Sequence, residues 1–381
     1  MGRLLLLACA VVFVDTMFFA AITPLLPGFE EQYGLGKSGA GVLAAAYPAG
    51  TLLGALPGGY LAARAGVRAT VLLGLALMTL SCLAFAFAHS IVALDLARFV
   101  QGVGGAASWS GAVAWVASAA PRDRRGELIG TTIGAAVGGA LLGPVLGALA
   151  DVLGVTPVFC SVGAIGITLG AWALLTPPAA PEGVSTAREL LAALRDGRVA
   201  GGIWLVAVPG LMFGTIGVLA PLRLDELGAT ATAIGAVWLV AAALEAGVSP
   251  VVGRLSDRRG RLFPSLIGLA AIGLLMPLFP WPDQAWQLAL LVMLAAPLIG
   301  TLWAPSMAML SDGAEALGIA QGLAFALSNV GWSIGQSIGS AGSARLADAT
   351  SDAVPYLVLA AIALASFALL ARTRRPASAL A

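Results

Sequence analysis

Charge is scarce in this chain. Only 10% of its 381 residues are Asp, Glu, Lys or Arg, against about 25% in a soluble globular domain, too few to cover a water-facing surface. Histidine occurs once, at His89, and the three cysteines, Cys9, Cys82 and Cys160, lie far apart inside apolar stretches. Neither a disulfide framework nor a clustered metal site is suggested. HExxH, GxSxG and paired Cys/His ligands are missing, so hydrolytic or metal chemistry lacks its parts. No catalytic residue, metal or cofactor is expected. The net charge of +1, with basic residues spread over several loops, argues against nucleic-acid binding.

What is there is apolar. Hydrophobic residues make up 59% of the chain and mean hydropathy is +0.96, so lipid must be its main solvent. Spans of about 20 apolar residues cross a bilayer. Twelve can be laid along the chain, at 4–27, 39–63, 69–88, 91–119, 126–150, 155–175, 199–222, 231–253, 262–281, 285–310, 317–345 and 354–372. The first contains Asp15 and ends in Pro24 and Pro27 without a small-residue cleavage site, so it reads as a retained helix rather than a signal peptide.

The chain also repeats itself. Gly59–Gly74 (GYLAARAGVRATVLLG) and Gly253–Gly268 (GRLSDRRGRLFPSLIG) agree in register at an offset of 194, which also pairs Gly34 with Gly228, Gly41 with Gly235 and Trp109 with Trp303. Half the chain is therefore duplicated, a plan on which many secondary transporters are built, with the substrate site where the halves meet. The expected architecture is all-α: a six-helix bundle over 1–175, a linker over 176–198 and a second six-helix bundle over 199–381. In the linker, Pro177, Pro178 and Pro181 stop the sixth helix and Thr186 with Glu189 has capping-box spacing. Leu190, Leu191 and Leu194 with Arg188 and Arg195 then suit a short helix on the inner membrane surface.

Basic residues near span ends are retained on the cytoplasmic side. With both termini inside, only Lys37, Arg223 and Arg345 of the 20 basic residues fall outside, and Arg98 lies within a span. A plasma (inner) membrane protein with both termini cytoplasmic is expected.

Gly253–Arg261 (GRLSDRRGR) matches throughout the loop motif G-x-L-x-D-R-x-G-R of the major facilitator superfamily, and the chain resembles that family. The first copy, carrying Gly59, Arg64 and Gly66, departs from it at Ala63 and Val67. Leu94–Ala106 (LDLARFVQGVGGA), centred on Arg98 with Gln101 and Gly102, is similar to the family's fourth-helix motif. Gly130, Gly139, Gly143, Pro144 and Gly147 are similar to its fifth-helix antiporter pattern, except that Ala148 replaces the last glycine. These motifs and Asp15 resemble the drug:proton antiporter branch, which includes multidrug exporters and relatives of vesicular amine transporters. The resemblance implies that the second loop motif, with Gly253, Asp257, Arg258, Gly260 and Arg261, favours the state closed to the cytoplasm.

The motifs also have physical readings. Gly139, Gly143 and Gly147 share one helix face, as do Gly331, Gly335 and Gly339; lacking side chains, they admit a neighbouring backbone, whether for rocking or for tight packing, and Pro144 bends its helix. Around Asp257, arginines and helix ends can form and break contacts as the halves tilt, besides setting topology. Four ionisable groups fall inside spans: Asp15, Asp95, Arg98 and Glu245. Charge within a bilayer is costly and mostly kept for function. Asp15 first and Glu245 second are the expected proton carriers, with proton and substrate competing for one carboxylate. The alternative for either acid is a structural, hydrogen-bonded role. Arg98 would tune a nearby acid, unless Asp95, three residues earlier, simply neutralises it.

Met17, Phe18, Trp109, Trp115 and Trp238 lie on helices that line the cavity in this superfamily, as do Trp303, Asn329, Trp332 and Gln336. Aromatic walls with a few amides and a carboxylate suit a bulky, partly apolar molecule, cationic ones included; packing or lipid contact is the alternative for any single aromatic. The sequence thus reads as a secondary transporter, not an enzyme, working as a monomer in the lipid bilayer. Its expected function is proton-coupled antiport that exports a small molecule by alternating access. The alternatives are a proton symporter for a nutrient and a receptor that does not transport.

Overall fold

A computed structural model describes residues 2–121, 124–178, 193–260, 262–317 and 321–373, with side chains described at all of these except 125, 126, 257, 304, 321–325 and 373. Among the described residues there are helices and no strands. The chain runs α1 (Gly2–Ala20), a 3-10 turn at Thr23–Leu25, α2 (Leu26–Tyr33), α3 (Gly36–Arg64), α4 (Val67–Ala86), α5 (Ile91–Ala119), α6 (Arg125–Leu153) and α7 (Val155–Leu175). The second half runs α8 (Gly197–Glu226), α9 (Ala231–Arg259), α10 (Leu262–Leu275), α11 (Ala285–Gly300), α12 (Trp303–Ala316), α13 (Gln321–Ser337), a π-turn at Ile338–Gly342, α14 (Ser343–Ala349) and α15 (Ala353–Thr373). These fall into the twelve expected spans, with α1 and α2, α11 and α12, and α13 and α14 each forming one broken span. Among the described residues, nine helices are long and apolar enough to cross a membrane, and Leu262–Leu278 is a shorter apolar one.

Local chemistry sets the ends. Ser90 caps α5 by accepting from the Ala93 N–H at 3.3 Å, Asp196 caps α8 from the Arg198 N–H at 2.8 Å, and Thr230 caps α9 from the Ala233 N–H at 3.2 Å; each satisfies a helix-end donor that has no partner within the helix. The two copies of the loop motif turn at equivalent glycines: Gly66 has φ 91° and ψ 152°, Gly260 φ 88° and ψ 148°. Only glycine enters that region without strain. Gly66→Ala or Gly260→Ala should each cost about 1–3 kcal/mol, read as a lowered melting temperature in detergent; an unchanged value would show that the turn can be rebuilt.

Three spans differ in detail from their expected limits. The first continues to Tyr33 because Pro24 and Pro27 interrupt α1 without ending the span. The tenth is broken at Thr301 and Leu302, four residues beyond Pro297, with the Thr301 hydroxyl donating back to the Leu298 carbonyl at 2.7 Å. The eleventh carries the π-turn at Ile338–Gly342. Of the expected linker helix, Thr186, Arg188, Glu189, Leu190 and Leu191 lie outside the described residues, while Leu194 and Arg195 are helical and exposed.

Within the first half, α3 and α4 pack on α5, α6 on α1, and α7 on α4; within the second, α12 and α13 pack on α8, α11 on α9, and α15 on α10. Both glycine stripes serve these contacts inside a half. Gly143 faces the Met17 carbonyl of α1, and Gly331 faces the Ile203 carbonyl of α8. The halves meet along two seams, α3 with α13 and α14, and α6 with α9. The repeat-related glycines take one seam each. A Cβ on Gly41 would lie 2.5 Å from the Ala344 Cβ and 2.7 Å from the Ser340 carbonyl oxygen; one on Gly235 would lie 2.9 Å from the Pro144 carbonyl oxygen.

The first seam ends in a charged clasp. Lys37, the sole lysine of the sequence, donates to both Asp352 oxygens at 2.6 and 2.7 Å and stands 3.9 Å from Glu226, itself paired with Arg223 at 2.9 Å. Asp348 accepts from the Ser38 N–H at 2.7 Å and from its hydroxyl. A carboxylate of the second half thus caps the N-terminus of α3 in the first.

Candidate functional site

Asp15 lies in the middle of α1 and is fully buried. The Tyr47 hydroxyl of α3 donates to its Oδ2 at 2.8 Å. Trp109 of α5 stands beside the same carboxyl, yet Oδ1 has no hydrogen-bond partner. Close helix contacts make this possible. Gly102 of α5 abuts the Tyr47 carbonyl and stands so close that a Cβ would lie 2.8 Å from the Thr51 nitrogen, bringing α3 within reach of α1. Gly105 leaves the space that the carboxyl fills: a Cβ there would lie 2.6 Å from the Tyr47 hydroxyl and 2.8 Å from Asp15 Oδ1. Gly105→Ala should therefore displace Asp15 or Tyr47 and lower transport activity while expression and melting behaviour persist; activity equal to wild type would show the pocket to be elastic.

Arg98 shares the pocket and is 1% exposed. It donates to Gln101 Oε1 at 2.7 Å, the Phe18 carbonyl at 3.4 Å and the Phe19 carbonyl at 3.2 Å. Its guanidinium lies 5.7 Å from the Phe19 ring centre and 5.3 Å from that of Tyr47, within cation–π range. Its Nε and Gln101 Nε2 have no partner. Neither Asp15 nor Asp95 forms an ion pair with it among the described residues. Asp95, half-buried with Oδ1 unpartnered, is thus not the neutralising neighbour that sequence spacing allows. Trp332 of the second half meets this pocket edge-on, 5.4 Å from Phe19 and 6.3 Å from Tyr47 between ring centres.

The expected site residues therefore divide. Asp15, Arg98, Trp109 and Trp332 come together where the halves meet, with Asn329 one turn before Trp332 on α13. Phe18 packs on Phe85 and Phe159, with ring centres 6.2 and 5.2 Å away, and Trp115 is 2% exposed, so both lie in the core of the first half. Met17 lies where α1 meets α6, and the Gln336 main chain packs on Gly210 and Gly214 of α8. Glu245, Trp238 and Trp303 form a separate group within the second half. Of the loop-motif arginines, Arg64 stacks on Tyr60 at 5.5 Å and Arg259 on Phe263 at 5.2 Å, while Arg258 is exposed. The Asp257 side chain and Arg261, on which the expected latch rests, lie outside the described residues.

Sequence reasoning did not single out Tyr47, Phe19 or Gly105. A tyrosine inside an apolar run was the available signal, because its hydroxyl needs a polar partner when buried. A buried pocket with one unpartnered carboxylate oxygen, a fixed cation and aromatic faces can hold a proton or bind a cationic group. Among the described residues, no group of three or more His, Cys, Asp or Glu could hold a metal ion.

The family model of the Major Facilitator Superfamily matches residues 8–336. No curated protein matches in sequence. In fold, the chain is similar to a D-xylose-proton symporter (15% identity, 97% of each chain covered, TM-score 0.74). It is also similar to the xylose transporter XylE from E. coli in a partially occluded inward open conformation (14% identity, 100% of this chain and 99% of that one, TM-score 0.76). A third similar structure is a POT family transporter in complex with 5-aminolevulinic acid (15% identity, 97% and 95% covered, TM-score 0.77). Identity this low carries the fold alone, whereas the family model spans most of the chain; this multi-pass membrane protein is a transporter of the Major Facilitator Superfamily.

Proposed function

We propose that the chain is a proton-coupled antiporter that exports a bulky, partly apolar small molecule, cationic ones included, with Asp15 as the shared site for proton and substrate. The observation that carries this reading is the buried Asp15 carboxyl with Oδ1 unpartnered, beside Arg98 and under Trp332 of the other half. With Asp15 ionised, the Asp15 and Arg98 charges cancel; binding either one proton or one monovalent cation leaves the pocket with the same net charge. The two ligands thus compete on equal electrostatic terms, which is what one-for-one exchange requires. Aromatic faces of Phe19, Tyr47 and Trp332 add cation–π attraction.

Topology completes the reading. The bundles at 1–175 and 199–381, joined through 176–198, rock as a monomer about the two seams in a plasma (inner) membrane. Both termini are cytoplasmic, and the clasp of Lys37 is then on the outer face. The second reading is proton symport of a small nutrient, which the described activity of the solved xylose–proton symporter favours. Proteoliposomes loaded with tetraphenylphosphonium separate the two. Antiport expects outside acidification to drive the cation out while the lumen acidifies. Proton uptake that accompanies D-xylose entry, with no response to the cation, would replace antiport by symport.

A further inference from the structure

The second half has its own acid inside a span, half-buried. Glu245 on α9 accepts from the Trp303 indole N–H at 3.1 Å and makes no ion pair among the described residues. Gly300, at the end of α11, is pressed against it; a Cβ there would lie 2.7 Å from Glu245 Cγ. A cavity of about 60 Å³ adjoins the carboxyl and is otherwise walled by apolar groups, among them Phe213, Trp238, Val292 and Ile299. A water needs about 10–15 Å³ of such space, so the carboxyl has room for water beside it.

Its surroundings hold no other charge at that level. α10 and α11 carry no titratable side chain. Those of α6 (Arg125, Glu127, Asp151) and α8 (Arg198, Arg223, Asp225, Glu226) sit near the helix ends. On α12, Asp312 and Glu315 lie more than two turns beyond Trp303, and on α9 itself the charged residues begin at Arg254.

Two details link this acid to Asp15. Trp303 is the repeat partner of Trp109, which stands beside Asp15. The acids are not repeat partners: at the offset of 194, Glu245 corresponds to Thr51 and Asp15 to Pro209. Two acids on unrelated helices have thus converged on the two copies of one indole. Trp303 is also the first residue of α12, directly after the break at Thr301 and Leu302. Its indole can therefore leave Glu245 by a change at the break while α9 and α11 stay in place.

We propose that Glu245 is a second exchangeable-proton site, separate from Asp15, and that Trp303 governs its access from the half-helix beyond the break. With the indole in place, the carboxylate has a donor. When α12 turns away, that donor is lost and a Glu245 oxygen takes a proton that cavity water relays from the aqueous phase: a hydronium O–H bond breaks, the carboxyl O–H bond forms, and a neutral acid and a neutral water remain. The inference rests on the proton-coupled reading only for the use made of this second proton.

The test is pH-difference infrared spectroscopy of the full chain in lipid nanodiscs, read in the carbonyl stretch of protonated carboxyls, with Asp95→Asn as control. Glu245→Gln is expected to remove one feature that Asp15→Asn leaves. Trp303→Phe, which keeps the acid, should bring that feature in at higher pH while leaving the others in place, because the ionised carboxylate has lost its donor. A Glu245→Gln spectrum identical to wild type would overturn the site, and an unmoved feature in Trp303→Phe would overturn the control by the indole. Loss of a feature in Glu245→Gln but not in Asp15→Asn would remove Asp15 as the proton site proposed above and leave this inference standing.

Discussion

Asp15→Asn should abolish proton-driven exchange while the protein still folds. Asparagine keeps the size of the side chain and an oxygen to accept from Tyr47, 2.8 Å away in the wild type, so it copies the protonated acid. It cannot release that proton, and it offers a bound cation no charge. Coupling energies between linked sites are typically about 1–3 kcal/mol, which sets a loss of roughly 100-fold in pH-driven tetraphenylphosphonium efflux at the upper end of that range. The melting temperature in detergent should change much less, because the neutral side chain costs less to bury than a carboxylate. Asp15→Asn with wild-type driven flux would sink the assignment. Arg98→Lys is the companion variant. A lysine cannot reproduce the fork that spans Gln101 and two carbonyls, so coupling should fall while the carboxylate still attracts a cation.

The next largest effect is expected from Lys37→Met combined with Asp348→Asn. The first removes a partly buried ion pair, a class worth about 0–1 kcal/mol. The second removes a capping carboxylate, worth about 1 kcal/mol. Both contacts join the halves, so their loss acts on the equilibrium between closed and open forms of this face as well as on stability. Together they should shift that equilibrium roughly 10-fold toward the open form, about 1.4 kcal/mol. Spin labels at His89 and Asp283, exposed on loops of opposite halves, would read it by electron–electron resonance as a longer-distance population. An unchanged distance distribution would mean that the helix seams alone hold the face shut, with Gly41 and Gly235 at their closest points.

Much of the fold was legible because lipid imposes a simple rule on the chain. Long apolar runs between short polar loops must become spans, and their limits were read to within four residues for α3 through α8, whereas α9 runs on from 253 to Arg259. What escaped was internal to spans. Thr301 and Leu302 look like any other residues of an apolar run; they end α11 because the Thr301 hydroxyl turns back on Leu298 and the neighbouring helix contributes Gly268 at that level. The site was half legible. Asp15, Arg98 and Glu245 announce themselves, since charge inside lipid is expensive. Tyr47 and Gly105 do not, because which of 4 tyrosines and 49 glycines meets a carboxylate depends on three helices packing at once.

The sequence by itself determined the all-helical membrane class, the twelve spans and the duplication, since each follows from apolar run length or from register along the chain. Only the tertiary structure decided that both glycine stripes pack within the halves, that Gly41 and Gly235 take the seams, and that the duplicated tryptophans each face an acid inside a span. Periodicity gives a helix its faces but is silent on which neighbour each face meets. That choice is made by close packing, where a missing Cβ or one hydrogen bond to a buried carboxylate outweighs any local preference.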